Sequence, residues 1–214
     1  MAWRHSRGIG CAALLLASVA RPSFAQVETA NIGGRGDVAL SAERLIGLSY
    51  AKSEQEVPGG GNEEERWFGI GQGWTGGGVW STPYDARRLG VDAFLFDSAS
   101  LGLSTAFAYR SSDTTEHWEL VVQPRAGYLV MFDDLKGLWM RAGAYYHHSN
   151  LLQVTEKGWG LGVDVLAVLH FTRRVALTLG PSFDQSVDVQ RDEHGREYRS
   201  LSLNLGLTSW LSSW

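Results

Sequence analysis

The most regular pattern of hydrophobic and polar positions lies at the far end of the chain, in residues 198–214. Leucines at every second position alternate there with small polar residues, and they are Leu201, Leu203, Leu205 and Leu207 against Ser200, Ser202, Asn204, Gly206 and Thr208. A period of two is that of an extended strand, whose successive side chains point to opposite faces. This segment is therefore predicted to be a strand with one aliphatic face and one polar face.

Similar alternation predicts seven more strands upstream. The eight predicted strands cover residues 38–52, 88–96, 101–111, 118–132, 138–148, 158–171, 175–188 and 198–214. A β-strand needs roughly 9 to 11 tilted residues to cross a bilayer, and most of these segments reach that length. A set of long alternating strands is typical of a membrane barrel.

The connections between the strands alternate in length. Residues 97–100, 133–137 and 172–174 are tight turns, whereas residues 112–117, 149–157 and 189–197 are longer and polar. Outer-membrane barrels have short turns on the periplasmic side and long loops outside. The pattern therefore predicts an all-β fold, an eight-stranded antiparallel transmembrane β-barrel over residues 38–214, with both termini in the periplasm.

Residues 53–87 do not fit this alternation as a separate spanning strand. We place them in a long first extracellular loop, in which residues 66–74 extend a hairpin above the membrane. The glycines and the proline of residues 76–84 indicate a bulge or a lid over the barrel mouth, because Gly and Pro mark breaks in strand pairing.

Strand parity predicts which side chains face lipid. The outward set is Leu89, Val91, Leu95, Leu103, Phe107, Tyr109, Trp118, Leu120, Val122, Tyr128, Trp159, Leu161, Val163, Val165, Leu169, Phe171, Val175, Leu177, Leu179 and Phe183. Its Trp and Tyr residues lie near strand ends, as in the aromatic girdles of membrane barrels.

The opposite faces predict a polar interior. A barrel-interior polar network is expected from Glu43, Asp92, Glu119, Arg125, Arg141, Asp164 and Asp184. Eight strands enclose just enough room for side chains, and buried charges must pair, so we expect a plug. A selectivity constriction or proton path is the alternative. Arg44 shares a face with Leu40 and Ile46, which requires either a β-bulge or a side chain that reaches an interface.

The N-terminus predicts the compartment. Residues 1–25 have the features of a secretory signal peptide, with Arg4 and Arg7 before an apolar run at residues 9–20 and small residues at the cleavage site. Residues 26–37 are expected to be a flexible leader. No later run of about 18 apolar residues exists, so no membrane-spanning helix is expected. These features predict the outer membrane of a Gram-negative bacterium, with a soluble periplasmic β-protein as the alternative.

Composition narrows the chemistry. The only cysteine, Cys11, lies in the predicted signal peptide, so the mature chain is expected to lack thiols and disulfides. Loss of that segment removes three arginines and changes the formal net charge from −4 to −7, which argues against nucleic-acid binding. We find no motif for a cofactor or a metal, and neither is expected.

One short cluster has catalytic residue types. The string from His147 to Asn150 includes Ser149, and Glu156 follows, so a His-activated Ser resembles the site of the eight-stranded outer-membrane lipid A deacylases. The match covers four residues, and the pair is predicted to face inward. A lipid A-modifying hydrolase is therefore the least favoured function, and no enzyme is predicted.

The chain resembles the small OmpA/OmpX-like outer-membrane β-barrel proteins. The strings at residues 40–48 (LSAERLIGL), 88–94 (RLGVDAF), 124–132 (PRAGYLVMF) and 137–139 (GLW) are similar to those of uncharacterised secreted barrels from myxobacteria. The terminal Trp214 resembles the aromatic residue that the barrel-assembly machinery recognises. The resemblance implies the fold and a partner in assembly, and it implies no activity.

These observations predict a structural, adhesion or envelope-integrity role through the extracellular loops, with a narrow channel for ions or small solutes as the alternative. The expected partners are outer-membrane lipids, lipopolysaccharide and the barrel-assembly machinery, which would bind the C-terminal strand ending in Trp214. The protein is expected to be a monomer.

Overall fold

The computed structural model describes residues 32–56, 61–70, 87–112, 115–151, 154–191 and 194–211. They form nine antiparallel strands, namely β1 (Val38–Glu56), β2 (Asn62–Ile70), β3 (Arg88–Phe96), β4 (Ala99–Ser112), β5 (Thr115–Met131), β6 (Lys136–Leu151), β7 (Val154–His170), β8 (Val175–Arg191) and β9 (His194–Leu211). No helix in these ranges is long and apolar enough to cross a membrane. The predicted signal peptide, residues 76–84 and Trp214 lie outside the described residues.

Eight of the nine strands close into a ring. Strands β3 to β9 pair in chain order, β1 pairs with β3, and the ring closes between β1 and β9. The closing ladder runs from the pair Val38 and Leu211 to the pair Gln55 and Arg196. The predicted eight-stranded antiparallel barrel is confirmed.

Strand β2 lies above β3 on the same edge of β1. The inner part of β1, from Val38 to Glu43, pairs with β3, and its outer part, from Leu48 to Glu56, pairs with β2. The two short strands therefore continue one another along β1. The hairpin expected in the first extracellular excursion is present as β1 and β2, and the ring keeps eight members.

The longer outer connections differ from the sequence prediction. Residues 112–117, 149–157 and 189–197 were expected to be polar loops, but strand pairing continues to Ser112 with Thr115, to Leu151 with Val154 and to Arg191 with His194. Polar residues remain in register because solvent satisfies their side chains while the ladder satisfies their backbone groups. The outer face therefore carries long two-stranded hairpins.

Side chains along most of each ring strand alternate between the inside and the outside of the barrel. Strand β7 changes between buried and exposed at almost every residue, and the predicted outward residues lie on its exposed face and on those of its neighbours. Phe107, on β4, has 69% of its surface exposed. A continuous apolar outer surface of this kind is stable in lipid and would be costly in water.

A bulge in β1 explains the parity of Arg44. The register against β9 shifts between Ala42 and Ile46, and Arg44 has a φ of 54°. The bulge turns two consecutive side chains, Glu43 and Arg44, toward the interior, where both are buried. Of the two alternatives for Arg44, the structure therefore has the bulge.

The end of the leader contacts the periplasmic end of the barrel. The carboxylate of Asp37 accepts hydrogen bonds from the backbone N–H groups of Gly33 (3.0 Å) and Gly34 (3.1 Å), and both Gly33 and Gly36 have positive φ. The backbone N–H of Gly36 donates to the carbonyl oxygen of Phe94 at 2.8 Å. Residues 32–37, the described part of the predicted leader, thus form a tight turn against β3, because the glycines permit the turn and Asp37 satisfies its N–H groups.

Candidate functional site

The candidate site is a layer of charged side chains inside the barrel. This layer, here called the charged belt, consists of Glu43, Arg44, Arg88, Asp92, Arg125, Arg141, Asp164 and Asp184, none of which is more than 6% exposed. It contains four carboxylates and four guanidinium groups, so its formal charges balance. Seven of the eight residues form ion pairs with one another, whereas the guanidinium of Arg88 contacts the side-chain amide of Gln123.

Arg125 is the most heavily bonded cation of the belt. Its Nη1 and Nη2 donate to the two oxygens of Glu43 at 2.8 and 2.6 Å, and its Nε donates to Oδ1 of Asp92 at 2.9 Å. A second contact joins Nη2 to Asp92. The planar guanidinium therefore holds two carboxylates from β1 and β3 at once, which is the geometry that favours Arg over Lys in buried pairs.

Arg141 and Arg44 connect the other carboxylates. Arg141 donates to Oε1 of Glu43 at 2.6 Å and to Oδ2 of Asp164 at 3.1 Å. Arg44 lies 2.7 Å from Oδ2 of Asp184 and 3.5 Å from Oδ1 of Asp164. The ion pairs thus join β1, β3, β5, β6, β7 and β8 across the interior.

Two glycines leave the space that these pairs occupy. A Cβ atom at Gly90 would lie 2.5 Å from both Nη2 of Arg125 and Oε1 of Glu43, and one at Gly102 would collide with the carboxylate of Asp92. Both positions face inward on neighbouring strands. The ion pairs of the belt therefore require glycine at both positions.

The structure brings together six of the seven residues expected in the interior network. Glu119 is also buried and faces inward, but it is cross-strand from Ser149 and lies farther toward the outer face. Sequence analysis did not assign Arg44 or Arg88 to the network. Arg88 follows the inward parity of Asp92 and was detectable by that signal, whereas Arg44 depends on the bulge.

An apolar plug closes the barrel below the belt. Its buried residues are Ala39, Phe94, Leu129, Trp139, Leu166, Val168, Ala176 and Trp210, and Ile32 packs against them. The ring centroids of Phe94, Trp139 and Trp210 lie 5.3 to 5.9 Å apart. The guanidinium of Arg141 lies 4.9 Å from the centroid of Trp139, so belt and plug are in contact.

A second polar group, here called the outer cluster, lies above the belt. It consists of Ser53, Glu65, His147, Glu156, Arg196 and Tyr198. Glu156 accepts a hydrogen bond from the hydroxyl of Tyr198 at 2.8 Å and lies 3.3 Å from Nε2 of His147. Arg196 donates to Ser53 at 2.6 Å and to Glu65 at 3.0 Å. The cluster joins the outer hairpins to one another.

The outer cluster contains two residues of the hydrolase hypothesis, His147 and Glu156, and Ser149 is cross-strand from Glu156. Glu156 does lie beside His147, as that hypothesis requires. However, His147 is fully buried and faces the interior, whereas a lipid ester would approach from the outer surface. The geometry therefore gives lipid hydrolysis no support.

Acid is expected to loosen the outer cluster. Glu156 lies on β7, nearer the outer tip of the hairpin than Trp159, which belongs to the predicted aromatic girdle. Its carboxylate is therefore outside the membrane-spanning part of the strand. Burial alone raises the pKa of Glu156, but hydrogen bonds from His147 and Tyr198 and the charge of Arg196 outweigh it, so its pKa lies below the ordinary value of 4.5. A lowered carboxyl pKa stabilises the fold above the unfolded-state pKa, and the contribution is lost as the pH falls through the folded-state pKa.

Hydrogen–deuterium exchange of the hairpin amides, corrected for intrinsic rates, measures this effect. We expect exchange to increase below about pH 4.5 in the natural protein and to depend less on pH in the variant Glu156→Gln. Glu197, which is exposed, provides the control Glu197→Gln. Equal pH dependence in the protein and in Glu156→Gln would show that another group controls the cluster.

Comparison with known proteins finds similarity in structure alone. No protein-family description and no curated protein sequence matches the chain. Solved structures that match include Ail, the attachment invasion locus protein of Yersinia pestis, with 14% identity, a TM-score of 0.40, and coverage of 83% of this chain and 99% of that one. Neisserial surface protein A (NspA) matches with 12% identity, a TM-score of 0.47, and coverage of 81% and 96%.

A further match is the outer membrane protein OprG from Pseudomonas aeruginosa, with 9% identity, a TM-score of 0.49, and coverage of 85% of this chain and 100% of that one. Identities and scores at this level do not indicate a shared activity.

The geometry of the chain itself defines its class. A closed ring of eight antiparallel strands has an apolar outer surface and a polar, ion-paired interior, which is the architecture of outer-membrane barrels. The resemblance to small OmpA/OmpX-like barrels is confirmed for the fold. The fold of the chain is that of a transmembrane β-barrel.

Proposed function

We propose that this outer-membrane β-barrel is a closed, non-conducting protein that acts in adhesion or envelope integrity through its outer hairpins. The observation that carries the proposal is the filled interior, in which the charged belt is balanced and no belt residue is more than 6% exposed. Six of the eight ring strands are 16 to 19 residues long, beyond the roughly 9 to 11 that span a bilayer, so the hairpins stand above the membrane.

The narrow channel that the inward charges suggested has less support. Each carboxylate of the belt lies within 4.0 Å of a belt arginine, so no belt carboxylate is left to accept a passing cation. Below the belt, an ion would have to displace the rings of Phe94, Trp139 and Trp210, whose centroids lie 5.3 to 5.9 Å apart.

Planar-bilayer recording tests the closed state. We expect the purified protein, whose folding is established by a heat-dependent shift in gel mobility, to give no discrete conductance steps. Steps that disappear in Arg125→Gln or Arg141→Gln would contradict a closed barrel and would assign conduction to the belt.

Shortening one hairpin tests the role of the outer face. Arg110 pairs with His117 near the tip of the β4–β5 hairpin, so replacing residues 110–117 by Asn-Gly joins Tyr109 to Trp118 through a two-residue turn. We expect weaker attachment of cells to surfaces or greater sensitivity of the envelope to detergent, with an unchanged gel shift. Replacing the exposed periplasmic turn residues Asp133 and Asp134 by Asn is the control. No change on shortening the β4–β5, β6–β7 and β8–β9 hairpins would contradict the proposal.

A further inference from the structure

Three cations lie side by side on the outer surface of neighbouring strands. Lys52 on β1 is cross-strand from Arg66 on β2 and from Arg199 on β9, and all three face away from the interior. Directly opposed side chains on adjacent strands have Cβ atoms about 4.5 to 5.5 Å apart, and like charges there destabilise the sheet. This row, here called the cationic strip, therefore needs negative charge nearby.

The strip marks a boundary on the barrel surface. The cross-strand row on its membrane side is apolar and exposed, and it consists of Phe68, Tyr50, Leu201 and, on β8, Phe183. The row on its other side is acidic and consists of Glu64, Glu54 and Glu197. From the membrane outward, the order is apolar, cationic, acidic.

The spacing of these rows matches the layers of a bilayer. Two residues along a strand advance about 7 Å, or about 5 Å along the membrane normal for a strand tilted by about 45°. The polar headgroup region adds about 5 to 8 Å to each side of the hydrocarbon core. If the apolar row contacts the edge of the hydrocarbon, the cationic strip lies at the level of the headgroups.

The acidic row holds the strip in place without covering it. Nζ of Lys52 lies 2.5 Å from Glu54 and 3.0 Å from Glu64, and Arg199 lies 3.8 Å from Glu197. The side chains of Arg66 and Arg199 remain 64% and 60% exposed. Hydrogen bonds to Glu54 and to Glu64 raise the pKa of Lys52, so its ammonium group keeps its charge. Exposed ion pairs of this kind contribute little to stability, so the cations can exchange a carboxylate for a phosphate at small cost.

We propose that the cationic strip binds the phosphate groups of the phosphorylated glycolipid of the outer leaflet, lipid A. Arginine forks bind phosphate oxygens in pairs, and the ammonium group of Lys52 lies between the two forks as a compact charge. The apolar row below the strip contacts the acyl chains of the same lipid. The proposal rests on the envelope role proposed above and names the lipid that the barrel contacts.

Titration of the folded barrel in detergent with lipid A, with the bound fraction counted by native mass spectrometry, tests the strip. We expect bisphosphorylated lipid A to bind more tightly than the same lipid without its phosphates. In the triple variant Lys52→Gln, Arg66→Gln, Arg199→Gln, binding of the phosphorylated lipid falls by roughly tenfold or more, because cations beside an anionic lipid surface act additively. Binding of the dephosphorylated lipid is unchanged.

A matched triple variant provides the control. Lys136, Arg173 and Arg174 are exposed at the periplasmic turns, so Lys136→Gln, Arg173→Gln, Arg174→Gln changes the net charge equally at the opposite end. An equal loss in this variant, equal binding of both lipids by the natural protein, or displacement by millimolar inorganic phosphate alone would overturn the site. The heat-dependent gel shift verifies folding, and the single variant Arg199→Gln, expected to weaken binding in the same direction, replaces the triple variant if that one does not fold.

The outcomes separate the strip from the proposed function. If hairpin shortening weakens attachment or the envelope but the strip variant binds lipid normally, the lipid site is wrong and the function stands. If the strip variant loses lipid and hairpin shortening has no effect, the site stands and the proposed function is wrong.

Discussion

Replacing Glu43 by glutamine is expected to lower the free energy of unfolding of the barrel by about 3 to 5 kcal/mol, the usual cost of removing one partner from a buried ion pair. Glu43 accepts hydrogen bonds from Arg125, Arg141 and Ser104. Without its charge, four guanidinium groups face three carboxylates in an interior of low dielectric constant. Urea-induced unfolding of the protein in lipid vesicles, followed by tryptophan fluorescence, measures the change.

Two further variants make the result specific to the belt. Glu197→Gln removes the same charge from an exposed position and is expected to leave stability almost unchanged. The double variant Glu43→Gln, Arg125→Gln restores equal numbers of charges, so its cost is expected to be smaller than the sum of the two single costs. A loss of less than about 1 kcal/mol for Glu43→Gln, as for a surface pair, would show that water reaches the belt.

Replacing Trp210 by alanine is expected to cost about 3 to 5 kcal/mol of unfolding free energy, in the range of large-to-small changes in cores. Its ring lies within 5.9 Å, centroid to centroid, of Phe94, Trp139 and His170, and the residue is 3% exposed. Alanine would leave a cavity between rings from β3, β6 and β7. The same unfolding experiment measures the effect.

Trp159 offers a control with the same residue type. It lies on the outer surface and is 55% exposed, so Trp159→Ala removes contacts with lipid and with Tyr146 while the plug stays intact. We expect a clearly smaller loss. Similar losses in both variants would mean that the aromatic plug adds nothing beyond the general contribution of a tryptophan at a membrane.

Much of the fold follows from the period of two. The alternation of leucines with small polar residues in β9 predicts its outward and inward faces, and the same parity predicts the burial of Asp92 and Asp164. This works because a barrel with lipid outside and charges inside specifies the register of each strand strongly, since a shift by one residue would exchange the two faces. The burial of the expected interior residues could therefore be predicted from the sequence.

The partners within the belt were not accessible in the same way. Which carboxylate meets Arg125 depends on the stagger between strands, which local alternation does not encode. The bulge at Arg44 reverses the alternation of inward and outward side chains within one strand. The sequence pattern therefore shows that Arg44 departs from the alternation but does not show that its side chain faces the interior. The outer hairpins were predicted to be loops because both faces of their strands contact water and carry polar residues. Such strands show no alternation of hydrophobic and polar positions.

The ladder between β1 and β9 has a consequence for how the protein reaches its membrane. Val38 pairs with Leu211, at the other end of the barrel sequence, and the ladder between their strands extends to Gln55 and Arg196. Contacts between such distant parts of a chain form slowly, because the entropy of closing the loop must be lost before they gain anything. One edge of β1 therefore stays open until β9 is available to pair with it, and an open edge pairs readily with other chains. Until then, we expect aggregation to begin at this edge.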